Sequence, residues 1–105
     1  MSDFTWAGVM PAITTPFTED DAVDHEFLAK HASWLVDHGS KGIIPFGSLG
    51  EGATLDIEER AACLETLVGA VGDRVPVIPA ISALSTRTAI ELADMAAEKG
   101  CRGLM

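Results

Sequence analysis

The residues best suited to chemistry lie in the stretch GSLGEGAT at residues 47–54. This loop combines three glycines with the hydroxyl of Ser48 and the carboxylate of Glu51. Glycines let a backbone approach a ligand closely, and successive free amides form a cradle for a carboxylate or phosphate. The loop lacks the lysine of a P-loop and the G-x-G-x-x-G spacing of dinucleotide sites. The sequence therefore predicts a small-anion site, and the alternative is a glycine-rich turn without a ligand.

Three residues in or beside this loop could also take part in binding or catalysis. Thr14 and Thr15 close a predicted strand, where their hydroxyls either line the pocket or cap the turn. Glu51 either acts as a base or accepts hydrogen bonds from the loop amides. We expect the structural role for Glu51, because a carboxylate that faced the cradle would repel an anionic ligand.

The lysines and histidines are placed away from the predicted site. Lys41 and Lys99 come just before predicted strands, at the end opposite to the one where α/β folds build sites, and Lys30 is in the middle of a predicted helix. His31 and His38 are seven positions apart, whereas a metal pair on a helix needs a spacing of four. The sequence also contains no tyrosine. We therefore expect a binding loop without a catalytic nucleophile, a metal or a cofactor.

Composition excludes several classes of function. Seven basic and 16 acidic residues give a net charge of −9, which opposes binding to nucleic acids or anionic membranes. Apolar residues make up 48% of the chain, enough for one packed core, and no uncharged stretch reaches the ~20 residues of a membrane span. The amino terminus does not resemble a signal peptide. Cys63 and Cys101 stand outside any CxxC motif, so we expect buried reduced thiols in a cytoplasmic protein.

The elements that must position the loop alternate in the order βαβαβαβ. Short continuous apolar runs predict strands buried on both faces, and apolar residues repeating at three and four predict helices between them. Asp56 and Glu59 have the spacing of a capping box, and Gly39, Gly72 and Gly100 stand where helices end in left-handed turns. The predicted strands span 8–14, 42–46, 75–81 and 102–105, and the predicted helices span 24–38, 56–71 and 86–99.

A repeat favours a barrel over an open sheet. The hexapeptide at 39–44 recurs 61 positions later at 100–105, which divides into two βα units of roughly 30 residues. Equal units suggest a (β/α)₈ TIM barrel, and a flavodoxin-like or Rossmann-like sheet is the alternative. The last strand has no helix to cover it. We expect residues 1–105 to be the amino-terminal part of one barrel domain, with about the first four strands and three helices.

The motifs resemble a known family. The phrases GVMPAITTPF at 8–17, GSLGEGATL at 47–55, EER at 58–60 and VPVI at 75–78 occur in the order and spacing of the dihydrodipicolinate synthase and N-acetylneuraminate lyase family. The G-[ST]-x-G-E loop is the most specific of these marks. Members of this family are (β/α)₈ barrels, usually homotetramers, that bind pyruvate or another 2-oxo acid as a Schiff base on a lysine. The resemblance would cover about the first third of such a protein.

The resemblance implies roles for the loop. The hydroxyl and amide of Ser48 and the amide of Leu49 would hold the substrate carboxylate, with Gly47, Gly50 and Thr14 beside it. The family's catalytic lysine and its proton-shuttling tyrosine would lie beyond Met105, so this chain would carry no catalytic residue and be inactive alone. A non-catalytic anion-binding or structural α/β module is the alternative reading.

Two departures from the family pattern bear on the substrate. Leu49 stands where the loop commonly has a second hydroxyl, which the synthases use in a proton relay. The stretch PAIS at 79–82 replaces a glycine-rich segment after the third strand. Both changes favour the branches that resemble hydratase-aldolases or sugar-acid aldolases and dehydratases over lysine biosynthesis.

Overall fold

Three α-helices dominate the computed structural model, which describes residues 4–105. They are α1 at His25–Asp37, α2 at Ile57–Val71 and α3 at Thr86–Glu98, and one turn of 3-10 helix covers Gly52–Thr54. All three predicted helices are confirmed, with each end within one residue of the prediction.

Side-chain caps explain why the helix starts could be read from the sequence. The Glu59 amide donates to the Asp56 carboxylate at 2.7 Å and the Asp56 amide donates to Glu59 Oε1 at 2.9 Å, which confirms the capping box of α2. Asp24 and Ser85 cap α1 and α3 by accepting from amides three residues on.

The helix ends follow the prediction at two of three glycines. Gly39 and Gly100 have φ of 104° and 91°, the left-handed region that favours glycine. The prediction for Gly72 is wrong, because its φ is −63°. The glycine serves a close approach there instead, since a Cβ on Gly72 would lie 2.6 Å from the carbonyl oxygen of Val68.

None of the four predicted strands forms a continuous strand among residues 4–105, and the segments at these positions are joined by isolated bridges and single hydrogen bonds. Among the described residues, the first three segments are joined by the isolated parallel bridges Ala12↔Ile44 and Ile43↔Val77. Proline explains the interruption, because it has no N–H to donate. The Ala80 amide donates to the Pro45 carbonyl at 2.9 Å, but Pro45 cannot return the bond that would complete a further bridge.

The segments lie side by side in chain order. The Ile13 amide donates to the Ile44 carbonyl, the Ile43 amide to the Pro76 carbonyl and the Met105 amide to the Pro79 carbonyl, at 2.9–3.1 Å. A flavodoxin-like order separates the second strand from the third, and a Rossmann order separates the third from the fourth. Both open-sheet alternatives therefore disagree with the observed pairing.

The core lies between the helices and the extended segments. Helices α1 and α2 pack on each other, and each buries one apolar stripe. In α1 the buried side chains are Leu28, Ala32 and Val36, and Leu35 beside them is half-buried. No helix among residues 4–105 is long and apolar enough to cross a membrane. The fully buried core side chains include Leu28, Ile43, Leu64, Leu67, Val71, Val77 and Ile78.

The two cysteines are buried free thiols, as predicted. Burial and, to a smaller extent, the nearby Glu59 carboxylate raise the pKa of Cys63 to about 11. Burial alone raises the pKa of Cys101 to about 11. Both side chains therefore stay protonated near neutral pH and act as small core hydrophobes.

Candidate functional site

The glycine-rich loop leaves the second extended segment through a strained residue. Phe46 is buried, yet its φ is 71°, a region that bulky residues rarely adopt. A left-handed backbone at such a residue costs roughly 1–2 kcal/mol, and strain of this kind persists only where surrounding contacts enforce it. Strained residues cluster at ligand sites, so Phe46 marks the loop that follows it as a candidate site.

Two glycines let the loop fold back onto Phe46. A Cβ on Gly50 would lie 2.8 Å from the Phe46 nitrogen and 2.9 Å from the Ile13 carbonyl oxygen. A Cβ on Gly52 would overlap the Phe46 carbonyl oxygen. Glycine is therefore required at both positions by close backbone approach.

The loop presents a run of backbone amides. Its internal hydrogen bonds join the Glu51 amide to the Ser48 carbonyl at 3.2 Å and the Gly52 amide to the Gly47 carbonyl at 3.3 Å. Within residues 4–105, the amides of Ser48, Leu49 and Gly50 donate to no protein acceptor. Ser48 is exposed and Leu49 is 72% exposed, whereas Gly50 is buried. Such a run can receive a small anion.

A threonine ties the loop to the first extended segment. The hydroxyl of Thr15, which is buried, donates to the Gly50 carbonyl at 2.6 Å. Thr14 is exposed and makes no hydrogen bond to the loop among the described residues. The residue that anchors the loop is thus Thr15, which the sequence did not distinguish from Thr14. Alternate side chains of extended backbone point to the same face, so Thr15 is buried with Ile13 while Thr14 points away. This alternation is the sequence signal that distinguishes Thr15 from Thr14.

The expectation for the Glu51 side chain is wrong. Its carboxylate is exposed and, in the described part of the chain, accepts no hydrogen bond from a loop amide. The backbone of Glu51 carries the structural role instead, with a left-handed φ of 57° and a carbonyl that accepts from the Thr54 amide and hydroxyl.

Arg60 packs against the loop, a contact that the sequence did not reveal. It is 7% exposed, although it is charged, and its guanidinium donates to the carbonyls of Gly52 and Leu55. Its Cζ also lies 5.6 Å from the centre of the Phe46 ring, within range of a cation–π contact. The EER motif at 58–60 does not indicate that the Arg60 side chain points toward the loop.

The lysines lie apart from the loop, as predicted. Lys30 pairs with Glu26 at 3.2 Å on the exposed side of α1, and Lys99 pairs with Glu65. The stem of Lys41 packs where a Cβ on Gly8 would fall. No group of three potential metal ligands occurs among residues 4–105.

The main concavity is separate from the loop amides. An open cleft of about 580 Å³ lies between the end of the loop and the start of α3, and its walls are mainly apolar. Ser48, Leu49 and Thr14 do not line it. The lining includes Ala53, Leu55, Ile57, Arg60, Ser82, Leu84 and Leu92.

Comparison with known proteins identifies the family. The sequence profile described as "Dihydrodipicolinate synthetase family" matches residues 5–105. The chain belongs to the dihydrodipicolinate synthetase family. The resemblance of the glycine-rich loop and of the segments around it is thereby confirmed.

Individual relatives agree with this family. The chain is 44% identical over 105 residues to 4-hydroxy-tetrahydrodipicolinate synthase of Natronomonas pharaonis, covering 100% of this chain and 35% of the relative. The structure of dihydrodipicolinate synthase from Bacillus anthracis matches with a TM-score of 0.92 at 31% identity, over 98% of this chain and 35% of the other.

A third relative is known with a ligand. A prophage protein of the dihydrodipicolinic acid synthase family from E. coli K12, solved in complex with pyruvate, matches with a TM-score of 0.89 at 32% identity. That match covers 94% of this chain and 33% of the other. The chain thus spans about a third of the length of these family members.

Proposed function

We propose that this chain forms the carboxylate-binding part of a Schiff-base lyase acting on pyruvate or another 2-oxo acid. The observation that carries the proposal is the run of unpaired amides at Ser48, Leu49 and Gly50 beside the Ser48 hydroxyl. A carboxylate offers about four lone-pair sites and therefore suits several converging donors. Membership of the family and the pyruvate complex of the E. coli relative support this ligand.

In this proposal the loop binds and orients, and a lysine outside residues 1–105 is the nucleophile. The lysine amine adds to the 2-oxo carbon and water leaves, so that an imine forms and can accept electrons from the bond that breaks. Holding the carboxylate still converts the attack into a well-oriented step. A tyrosine, also outside this chain, would move the proton. The outer positions of Lys30, Lys41 and Lys99 support placing the nucleophile elsewhere.

The fold proposal follows from the segment order. We propose that the four extended segments are the first four strands of a (β/α)₈ barrel whose remaining strands lie in a longer polypeptide. The pairing of each segment with the next supports a barrel wall, and the loop at 47–54 then lies at the carboxyl end of the second strand, where such barrels bind their substrates.

Leu49 bears on the second substrate. Its side chain is 72% exposed on the loop, where it offers apolar contact to whatever lies beside the carboxylate. We propose a partner aldehyde, or sugar-acid substituent, that is less polar than aspartate semialdehyde. The name of the Natronomonas pharaonis relative supports the synthase reaction instead. Aspartate semialdehyde and a less polar aldehyde should therefore be compared as substrates in one activity assay.

We also propose that the complete protein is a homotetramer, as the family resemblance implies, and that it is cytoplasmic. Exposed apolar side chains around the cleft support self-association. Leu84 is fully exposed and Ile57 is 40% exposed, and apolar patches of this kind are unfavourable in water.

Borohydride trapping tests the proposed function. The complete polypeptide that contains residues 1–105 is incubated with pyruvate, reduced and digested, and the modified peptide is identified by mass spectrometry. We expect one reduced pyruvate adduct on a lysine outside this chain, and none on the 105-residue chain treated alone. Absence of an adduct on the complete protein would favour the non-catalytic anion-binding module, and an adduct on Lys30, Lys41 or Lys99 that scales with activity would overturn the assignment.

A further inference from the structure

Arg60 contacts the glycine-rich loop at both of its ends. Its ring contact is with Phe46, the residue that precedes the loop, at 5.6 Å. Its hydrogen bonds are to the carbonyls of Gly52 and Leu55, at the loop's far end, with the Leu55 bond at 3.4 Å. The unpaired amides of Ser48, Leu49 and Gly50 lie between these contacts in the sequence.

The contacts of Arg60 continue into the loop. Gly52, which accepts from the guanidinium, donates its own amide to the Gly47 carbonyl at 3.3 Å. Gly47 immediately precedes the unpaired amide of Ser48. Two hydrogen bonds therefore connect Arg60 to the start of the amide run, while Thr15 holds its end through Gly50.

The charge of Arg60 has no carboxylate partner in the described part of the chain. The ion pairs there involve Lys30, Arg74 and Lys99. Burial lowers the pKa of Arg60 from its ordinary value, but guanidinium groups stay protonated in proteins. Carbonyl dipoles and the Phe46 ring therefore solvate a buried cation beneath the loop without neutralising it.

We propose that Arg60 is a positioning residue of the carboxylate-binding loop. It fixes both ends of the loop so that the amides of Ser48, Leu49 and Gly50 converge, and its unneutralised charge favours an anion over a neutral group at those amides. The proposal rests on the proposed function of the loop. It assigns to Arg60 a role in ligand affinity that a purely structural buried arginine would not have.

The test uses the complete polypeptide that contains residues 1–105, labelled with ¹⁵N and titrated with sodium pyruvate. The variants are Arg60→Lys, which keeps the charge but cannot make both carbonyl contacts with one planar group, and Arg60→Gln, which removes the charge. Arg74→Gln is the matched control, since it makes the same change in net charge at an exposed pair with Asp37. Pyruvate affinity is read from the shifts of the Ser48, Leu49 and Gly50 amides, and thermal unfolding is measured in parallel.

We expect the Kd for pyruvate to rise about threefold in Arg60→Lys and about tenfold in Arg60→Gln, because a positioned charge and its hydrogen bonds are both lost in the second variant. Arg74→Gln should stay within about twofold of wild type, because exposed pairs contribute little. Wild-type affinity in folded Arg60→Gln overturns the proposal. If Arg60→Gln does not fold, Arg60→Lys decides, and wild-type affinity there overturns the proposal equally.

Failure of the proposed function gives a different result. In that case the complete wild-type protein shows no pyruvate-dependent shift at the three loop amides. Hydrogen exchange without ligand then tests the positioning role of Arg60. We expect the Gly52 amide to exchange about tenfold faster in Arg60→Lys than in wild type, because the guanidinium no longer binds the Gly52 carbonyl. Unchanged exchange overturns the positioning role.

Discussion

Replacement of Gly52 by alanine tests whether the loop is held as tightly as its contacts indicate. A Cβ there would overlap the Phe46 carbonyl oxygen and lie 2.9 Å from the Phe46 carbonyl carbon and Cβ. Phe46 cannot easily retreat, because it is buried and already has a left-handed backbone. The loop must therefore move instead.

The cost of that movement can be worked from the bonds it breaks. Displacing Gly52 loses its amide bond to the Gly47 carbonyl and the bond that its own carbonyl accepts from Arg60. A neutral hydrogen bond contributes about 1 kcal/mol and one to a charged group about 1.5–3 kcal/mol, so the expected loss of unfolding free energy is about 3 kcal/mol. For a domain of this size the corresponding fall in Tm is roughly 12–24 °C.

Urea unfolding followed by circular dichroism measures this change, and the chain supplies a matched control. Gly69 lies in α2 with no atom within 4 Å of a built Cβ, so Gly69→Ala should stabilise the chain by about 1 kcal/mol through helix propensity. Glycine-to-alanine substitution should therefore lower the free energy of unfolding at residue 52 and raise it at residue 69. A Gly52→Ala variant within about 0.5 kcal/mol of wild type would refute the reasoning.

Three further predictions concern ligand binding and acid–base behaviour. Ser48→Ala in the complete protein should weaken pyruvate binding by about 1–2 kcal/mol, measured by calorimetry, because the amides remain after one charge-assisted bond is lost. Unchanged affinity would place the carboxylate elsewhere. Leu49→Thr should raise the rate with aspartate semialdehyde, for which the unmodified enzyme should be poor, and efficient condensation by the unmodified enzyme would contradict this. Stability should fall as pH rises from about 9 through about 11, because Cys63 and Cys101 have raised pKa values in the folded state and ionise more readily when unfolded. Replacing both cysteines by alanine should flatten that part of the pH profile of urea unfolding.

The helices could be predicted closely because their signals are local. Asp24, Asp56 and Ser85 begin helices through bonds that span three residues, so the sequence carries the whole motif. Apolar runs predicted where the segments between the helices pair, but not that these segments form no continuous strands. Their interruption follows from prolines such as Pro45, whose missing donor becomes important only once a neighbouring segment is in place.

The parts of the site that escaped prediction depend on contacts distant in sequence. Thr15 and Gly50 are 35 positions apart, and only the fold shows that their bond, rather than any made by Thr14, holds the loop. The sequence also did not indicate which way the side chains of Arg60 and Glu51 point. The sequence places Arg60 on a helix without indicating that it turns inward, and it places Glu51 in the loop without indicating that its side chain faces water.

A crystal structure of the complete protein with pyruvate would test the central claim most directly. We predict that the pyruvate carboxylate lies within about 3.2 Å of the amide nitrogens of Ser48 and Leu49, with the Ser48 hydroxyl as a further donor. Arg60 should still contact the carbonyls of Gly52 and Leu55 beneath the loop. A carboxylate bound in the apolar cleft beside Leu84, or anywhere away from these amides, would contradict the account.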